Sequence, residues 1–464
     1  MDLGGKMINI KADSRKVKKG DIFVALRGYS SDGHDYIDKA IANGCKKLIV
    51  MDDKDYQVDY EVVPDTREYL NNYLKNHYKK YLDEMTIIGY TGTNGKTTSA
   101  FLMYEMLNNL GIKCGYIGTI GYYLDGKVSD LPNTSPDVCD MYELLINAYD
   151  NGYKCMAIEA SSQGLDLQRL YGIPFDYAIF TNLTQDHLDY HKTMENYAKA
   201  KTILFKQLKN DGIAILNYDD PYKDYFVSKN TLYYGFNGGD YKIDSVNYNH
   251  QGTTFTYNGK TINSPLLGDY NVYNLLSDIV VLESMGIKNI NDSIKGISAP
   301  DGRMDMVLYK NNSIIIDYAH TPDAISKILD TVKKICVGNI YVVFGCTGSR
   351  DRTKRPIMTK LVLSNVTKAI ITIDDPHDED INQIFDDMLK NNTYTNYIVE
   401  PDRGRAIEEG IKLLNNNDML LVLGKGHEEV IIYGKERIPF NDKKKVLEVI
   451  NKESQILILF FIML

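Results

Sequence analysis

Thr91-Gly92-Thr93-Asn94-Gly95-Lys96-Thr97-Thr98 is the stretch whose reading decides the fold. It follows an apolar run, Met85-Thr86-Ile87-Ile88-Gly89, and leads into Ser99-Ala100-Phe101-Leu102-Met103-Tyr104-Glu105-Met106-Leu107. That order predicts a buried strand, a glycine-rich turn and the start of a helix. Glycines let backbone N–H groups close around phosphate oxygens, and a helix N-terminus adds positive potential. Lys96 has the reach for β- and γ-phosphates, and the Thr97 hydroxyl suits a magnesium ion. The usual phosphate-loop pattern has a glycine five residues before Gly95, where this chain has Tyr90. The match is therefore to a shorter variant, Gly-Thr-Asn-Gly-Lys-Thr-Thr, in the strand–turn–helix setting the motif requires.

A chain of 464 residues is too long for one core and implies about three domains. Its 53 basic and 62 acidic residues give a net charge of −9, which argues against a nucleic-acid surface. The six cysteines (Cys45, Cys114, Cys139, Cys155, Cys336, Cys346) contain no Cys-x-x-Cys pair. Neither a zinc site nor a disulfide framework follows, and reduced thiols in a cytoplasm are expected. The N-terminus has no signal-peptide pattern. Residues 456–464 are an apolar run of nine, too short to span a bilayer as a helix, which needs about 20 residues. A buried strand, a membrane-touching tail or an accidental extension are open for it, the last favoured; stable membrane insertion is not expected.

Outward from the phosphate loop, residues 85–299 alternate strands and helices, which implies a mostly parallel sheet. Each apolar strand discharges into polar residues where open α/β sheets bind ligands: Glu159-Ala160-Ser161-Ser162, Thr181-Asn182 onward to Asp186-His187, and Asn217-Tyr218-Asp219-Asp220. Glu159 and His187 can join Thr97 around magnesium, although histidine is a less usual ligand and alone would read as a hydrogen-bonding core residue. Residues 231–265 read as an antiparallel insertion. Residues 1–84 form a small α/β domain, ending in a solvated helix from Tyr69 to Tyr81. From residue 300 to 455 the alternation restarts as a Rossmann-like domain. No Gly-x-Gly-x-x-Gly opens it, so a dinucleotide site is not expected. The fold class is α/β in three domains.

These strand-end motifs, in this order, resemble the Mur ligase family of ATP-dependent amino-acid ligases, and within it the MurE type. That type adds the third residue to UDP-N-acetylmuramoyl-L-alanyl-D-glutamate in peptidoglycan synthesis. The resemblance runs from Asp13-Ser14-Arg15 to Gly424-Lys425-Gly426-His427-Glu428 and includes Asp317-Tyr318-Ala319-His320-Thr321-Pro322-Asp323. It implies ATP and Mg²⁺, held by Gly92, Thr93, Asn94, Gly95, Lys96, Thr97 and Thr98. Asn271 and Asn274 would lie on the adenine side, and Arg303, Asp317 and His320 would reach ATP from the C-terminal domain. Ser14 belongs to the uridine-contacting stretch. Asn133, Thr134, Ser135, Ser161, Gln163 and Arg169 stand where the family grips the sugar-peptide.

Lys201 aligns with the lysine the family carbamylates, which would make it an anionic oxygen ligand beside Glu159 and His187; from residues alone it reads as a surface lysine on a helix. Lys96, Lys201 and His187 are the expected catalytic set, with an acyl phosphate as intermediate and no protein nucleophile. The third amino acid would be read by Arg350, Asp374, Asp375, His377, Gly424 and Glu428. Diaminopimelate enzymes of this type carry Asp-Asn-Pro-Arg where this chain has Asp374-Asp375-Pro376-His377. Histidine cannot fork onto a carboxylate as arginine does. With Asp378, Glu379 and Asp380 following, an acidic pocket for an ammonium tail is expected, hence L-lysine or another diamine, with meso-diaminopimelate the alternative. Ala160, Gln163, Thr347 and Ser349 depart from the commoner residues, leaving open a divergent paralogue. A non-catalytic nucleotide-binding module is disfavoured by Glu159, His187 and Lys201 beside an intact Lys96. A monomer is expected.

Overall fold

The computed structural model describes residues 8–28, 32–249 and 252–463. Its backbone separates into two compact units. One holds the described residues of Met1–Ile243 and Tyr273–Ile294, the other those of Asp244–Val272 and Lys295–Leu464.

The first unit opens with a parallel sheet in the order β1 (Ile10–Lys11), β2 (Ile22–Val24), β3 (Lys47–Val50), β4 (Asp59–Val62). The helix expected to be solvated spans Thr66–Asp83 and is not wholly so. Leu70, Leu74, Tyr78 and Leu82, at four-residue spacing, put one buried stripe on it. The stripe enters a core shared with Ile87, Met141 and Tyr142 of the following sheet and helix. Asp65 caps the helix, accepting the N–H groups of Arg67 and Glu68. Nearby, buried Lys11 donates to Glu143 at 2.6 Å and Lys16 to Asp140 at 2.6 Å, tying the turn that carries Ser14 to the helix Val138–Asp150.

The nucleotide-loop sheet comprises β5 (Thr86–Thr91), β6 (Cys114–Gly118), β7 (Gly121–Leu124), β8 (Gly126–Ser129), β9 (Cys155–Glu159), β10 (Phe175–Phe180), β11 (Leu208–Asn217) and β12 (Thr231–Gly235). Their order is β12-β11-β10-β5-β9-β6-β7-β8, parallel from β12 to β6 and antiparallel at the β7–β8 edge. β5 lies in the interior and reads as a nearly continuous apolar run because both its faces are covered. Pairing of Tyr90 with Glu159 and of Thr91 with Phe180 brings three strand ends level, where parallel sheets bind ligands.

The antiparallel expectation for residues 231–265 holds only in part. β12 and β13 (Tyr241–Asn249) pair in parallel, whereas β14 (Gly252–Tyr257) and β15 (Lys260–Ser264) form the antiparallel hairpin.

The second unit contains a sheet of β16 (Asp305–Tyr309), β17 (Asn312–Asp317), β18 (Ile340–Phe344), β19 (Lys368–Ile371), β20 (Tyr397–Val399) and β21 (Met419–Leu423). The order is β16-β17-β21-β18-β19-β20, parallel apart from the β16 edge. A hairpin of β22 (Val430–Tyr433) and β23 (Glu436–Pro439) follows. The last helix, Asp442–Met463, takes in the apolar tail, so the strand option for that tail does not hold; its side chains lie outside the described residues. Among the described residues no helix is long and apolar enough to cross a membrane.

Candidate active site

The phosphate loop is built around two glycines with positive φ. A Cβ on Gly92 (φ 151°) would lie 1.9 Å from Thr181 Oγ1, and one on Gly95 (φ 88°) would lie 2.6 Å from Asn274 Oδ1. Larger residues would push the loop off its neighbours. Asn94 is locked from the same side: its N–H donates to Asn182 Oδ1 at 2.9 Å, and its carbonyl accepts from Thr181 Oγ1 at 2.6 Å. Lys96 opens the helix Lys96–Asn109 and turns back, donating to the carbonyls of Gly92 (2.9 Å) and Thr93 (2.8 Å).

Lys201 donates to the same Gly92 carbonyl at 2.8 Å. It is 1% exposed, on the helix Met194–Lys206, with its ammonium 4.4 Å from the centre of the Tyr197 ring. Burial, and then the charge of Lys96, hold its amine well below the ordinary lysine range. The surface-lysine alternative therefore does not hold. His187 is exposed, with φ 53°, and its ring lies 6.1 Å from the Tyr197 ring.

Glu159 is fully buried at the end of β9. Its Oε2 accepts from Thr97 Oγ1 at 2.8 Å and from Thr119 Oγ1 at 3.1 Å; its Oε1 accepts from the Thr119 N–H at 2.8 Å and from Tyr116 OH. Thr119 also reaches Thr134 Oγ1 at 3.0 Å. Ser135 Oγ donates to the Glu159 carbonyl and lies 3.1 Å from Ser161 Oγ. Arg169 donates to the Ser135 carbonyl at 3.1 Å and faces Asp137. Glu159 thus joins the phosphate loop to residues 134, 135, 161 and 169. Asn133 is exposed at the start of this segment, Gln163 sits in the short helix Ser162–Asp166, and Thr98 is buried in the first turn after Lys96. Ser14 is buried, its carbonyl accepting from Asn43.

Tyr90, which occupies the missing glycine's position, is fully buried and donates to Asp278 Oδ1 at 2.8 Å. Asp278 belongs to the helix Asp269–Ser284, which also carries Asn274, the acceptor from Ser99 Oγ at 3.2 Å. Asn271, on its first turn, donates to the Leu267 carbonyl at 2.8 Å. Asp278 Oδ2 has no hydrogen-bond partner among the described residues. Burial pushes the Asp278 carboxyl well above the usual carboxylate range. The folded state then keeps a proton that the unfolded chain releases above about pH 4. Stability is lost as pH rises from there, by up to about 1.4 kcal/mol per pH unit, until the buried group itself ionises. Asp278→Asn carries no such penalty. Its melting temperature relative to the wild type is expected to climb between pH 5 and pH 8; a pH-independent difference would refute a protonated Asp278.

In the second unit Lys425 is fully buried among three carboxylates: Asp375 at 2.8 Å, Glu428 at 2.7 Å and Asp374 at 3.6 Å. The same three form the one group of His, Cys, Asp or Glu donors close enough to hold a metal among the described residues. The ammonium already supplies the positive charge there. Asp375 Oδ1 also accepts the Ile432 N–H at 2.9 Å. Gly424 has φ 114°, and a Cβ there would lie 2.9 Å from Asp374 Oδ2. His377, at φ 53°, is paired through its backbone to Ile432 and Tyr433. Arg350 is exposed and lines a cavity of about 660 Å³ with Arg352, Asp378 and Asp380. The loop before it is fixed by Glu379, which accepts the Ser349 N–H at 2.8 Å and both Nη atoms of buried Arg355 at 2.7 Å. Hydrogen bonds from Arg355 hold the Glu379 carboxyl down at about 2. Asp317 accepts the N–H groups of Met304 and Ala319 at 2.7 Å, His320 Nδ1 lies 2.7 Å from the Tyr318 carbonyl, and the Arg303 guanidinium stands 4.7 Å from the Tyr318 ring.

Three profiles match along the chain: "Mur ligase family, catalytic domain" at residues 6–85, "Mur ligase middle domain" at 90–282, and "Mur ligase, glutamate ligase domain" at 302–426. A UDP-N-acetylmuramoyl-L-alanyl-D-glutamate–2,6-diaminopimelate ligase of Clostridium botulinum is 39% identical over 462 residues, covering 96% of this chain and 95% of the relative. The chain belongs to the Mur ligase family. The ligase of the same name from Fusobacterium nucleatum is 38% identical, with 96% and 94% covered. A solved diaminopimelate ligase of this family superposes with a TM-score of 0.70 at 31% identity over 97% of this chain and 95% of that one. The Mur ligase MurF of Thermotoga maritima, solved with ADP, gives a TM-score of 0.69 at 20% identity, a likeness of fold.

As a member of this family the chain is an ATP-dependent, peptide-bond-forming ligase. Sequence reasoning missed five residues packed on the predicted site. Tyr116 and Thr119 fix Glu159, and the Tyr197 ring neighbours both His187 and Lys201. His191, buried, contacts Ser162 Oγ at 2.9 Å. His191 ends the run Asp186-His187-Leu188-Asp189-Tyr190-His191, whose paired histidines are a signal in the sequence; Tyr116 and Thr119 carry no pattern. Lys425 was overlooked although it stands inside a quoted motif, because its burial between three carboxylates is a tertiary fact.

Proposed function

We propose that this ligase joins 2,6-diaminopimelate, in its meso form, to UDP-N-acetylmuramoyl-L-alanyl-D-glutamate, using ATP. The observation that carries the amino-acid assignment is the buried Lys425. Asp374 and Asp375 are only 3% and 7% exposed and already face an ammonium group, so these two no longer count as free negative charge awaiting a lysine tail. Beside the cavity, where Arg352, Asp378 and Asp380 are exposed too, Arg350 offers a guanidinium suited to a distal carboxylate. The names of the relatives agree with this alternative rather than with lysine.

In the reaction the D-glutamate carboxylate attacks the γ-phosphorus of ATP, breaking the bond to the β-phosphate oxygen and giving an acyl phosphate and ADP. The amine of the incoming amino acid then attacks the acyl carbon, and phosphate leaves from the tetrahedral intermediate. Lys96 would offset charge on the phosphoryl group as it transfers. Ser135, Ser161 and Arg169, joined to Glu159, would orient the dipeptide carboxylate. The paired Thr97 hydroxyl and Glu159 carboxylate are oxygen donors that fit Mg²⁺, with His187 and a carbamylated Lys201 as further ligands. Bound there, the ion would supply charge neutralisation of the phosphates.

ADP release with the UDP-muramoyl dipeptide is expected to be at least about tenfold faster with diaminopimelate than with lysine or ornithine, one bidentate charge-assisted pair being worth about 1.5–3 kcal/mol. His377→Arg should lower the KM for diaminopimelate several-fold. A wild-type preference for lysine would overturn the assignment.

A further inference from the structure

Tyr318 stands at the centre of the second unit's polar end, between two groups of residues. The Arg303 guanidinium covers its ring at 4.7 Å, and Arg303 Nε is buried with no hydrogen-bond partner among the described residues. The imidazoles of His320 and His427 approach the same ring at 4.7 and 5.3 Å between centroids. On the far side the Tyr318 hydroxyl donates to Glu428 Oε1 at 3.4 Å, while Glu428 Oε2 accepts from Lys425. The backbone leaves little slack. Tyr318 N–H donates to the Gly302 carbonyl at 2.9 Å, and a Cβ on Gly302 would lie 2.2 Å from the Gly426 carbonyl carbon and the His427 nitrogen. A Cβ on Gly426 would lie 2.8 Å from the Gly302 carbonyl oxygen and from Tyr318 Cβ. The loop bearing Arg303, the end of β17 and the loop bearing Glu428 thus meet on one side chain.

We propose that Tyr318 is a positioning residue that holds the nucleotide-facing Arg303 and the amine-facing Glu428 in one register. The proposal rests on the ligase reading above for what those two residues face. The ring orients the guanidinium by a cation–π contact and the hydroxyl orients the carboxylate, so the two functions are separable by substitution.

Tyr318→Phe removes only the hydroxyl. Its KM for diaminopimelate is expected to rise about fivefold, the loss of one long hydrogen bond to a charged group, with kcat and ADP affinity within about twofold of wild type. Tyr318→Leu removes the ring as well and should weaken ADP binding about fivefold, measured by calorimetric titration. Tyr318→Met replaces it if the leucine variant does not fold. A diaminopimelate KM unchanged in Tyr318→Phe, or ADP affinity unchanged when the ring is lost, would overturn the proposal. If wild type turns over no amino acid, the ligase reading has failed, and the ADP titrations alone decide the role of Tyr318.

Discussion

Lys201→Met is expected to lower kcat by at least about a hundredfold while leaving the melting temperature equal to or above that of wild type. The two halves of this expectation come from one observation. Lys201 is buried, shares the Gly92 carbonyl with Lys96, and has its amine held well below the ordinary lysine range. Holding a buried amine beside the Lys96 charge costs stability whether it keeps its proton or gives it up, so an apolar side chain of similar length removes a penalty. A lysine kept only for packing would then give a stable, active methionine variant. The lowering also makes the proton easier to give up, and the amine without it is the form that adds carbon dioxide to become a carbamate. Wild-type enzyme stripped of bicarbonate should therefore lose activity and regain it on readdition, whereas Lys201→Met should respond to neither treatment. Activity in Lys201→Met near that of wild type would remove Lys201 from the catalytic set.

The largest stability effect is expected at Arg403 and Asp442, a fork-on-fork ion pair with both side chains fully buried. Truncating one partner leaves the other charged in an apolar setting, at a cost of about 3–5 kcal/mol. Asp442→Ala should accordingly lower the urea midpoint sharply, and the paired change Arg403→Met with Asp442→Leu should recover most of it. Equal losses in the single and double variants would contradict this. The pair also bears on specificity. Arg403 donates to the carbonyls of Ile373 at 2.9 Å and Leu423 at 3.0 Å, the residues just before Asp374 and Gly424. Even variants that remain folded should therefore show a raised KM for the amino acid.

What could be read from the sequence were features local to a few residues. The strand–turn–helix around Gly95 and Lys96, and the polar ends of the parallel strands, follow from periodicity and turn chemistry. The amino-acid pocket could not be read that way. Asp375 and Glu428 look like free negative charge in a list of residues, and only the fold reveals that Lys425 lies between them. The helix Thr66–Asp83 reads as solvated for a related reason. Its composition is polar, but four of its residues align on one face, which a residue-type count hides. Tyr90 appeared as a missing glycine, whereas its hydroxyl fastens β5 to the helix that bears Asn274.

That same helix, Thr66–Asp83, bears on how the protein can be divided. The profile boundary at residue 85 suggests a detachable module, yet Leu70, Leu74, Tyr78 and Leu82 share one core with Ile10 and Val24 on the near side of that boundary and with Ile87, Met141 and Tyr142 on the far side. A fragment ending there would lose part of the core that covers this stripe, and the remainder would expose Met141, Tyr142 and Ile87 in turn. The family boundary at residue 85 thus cuts through a shared core rather than between two cores.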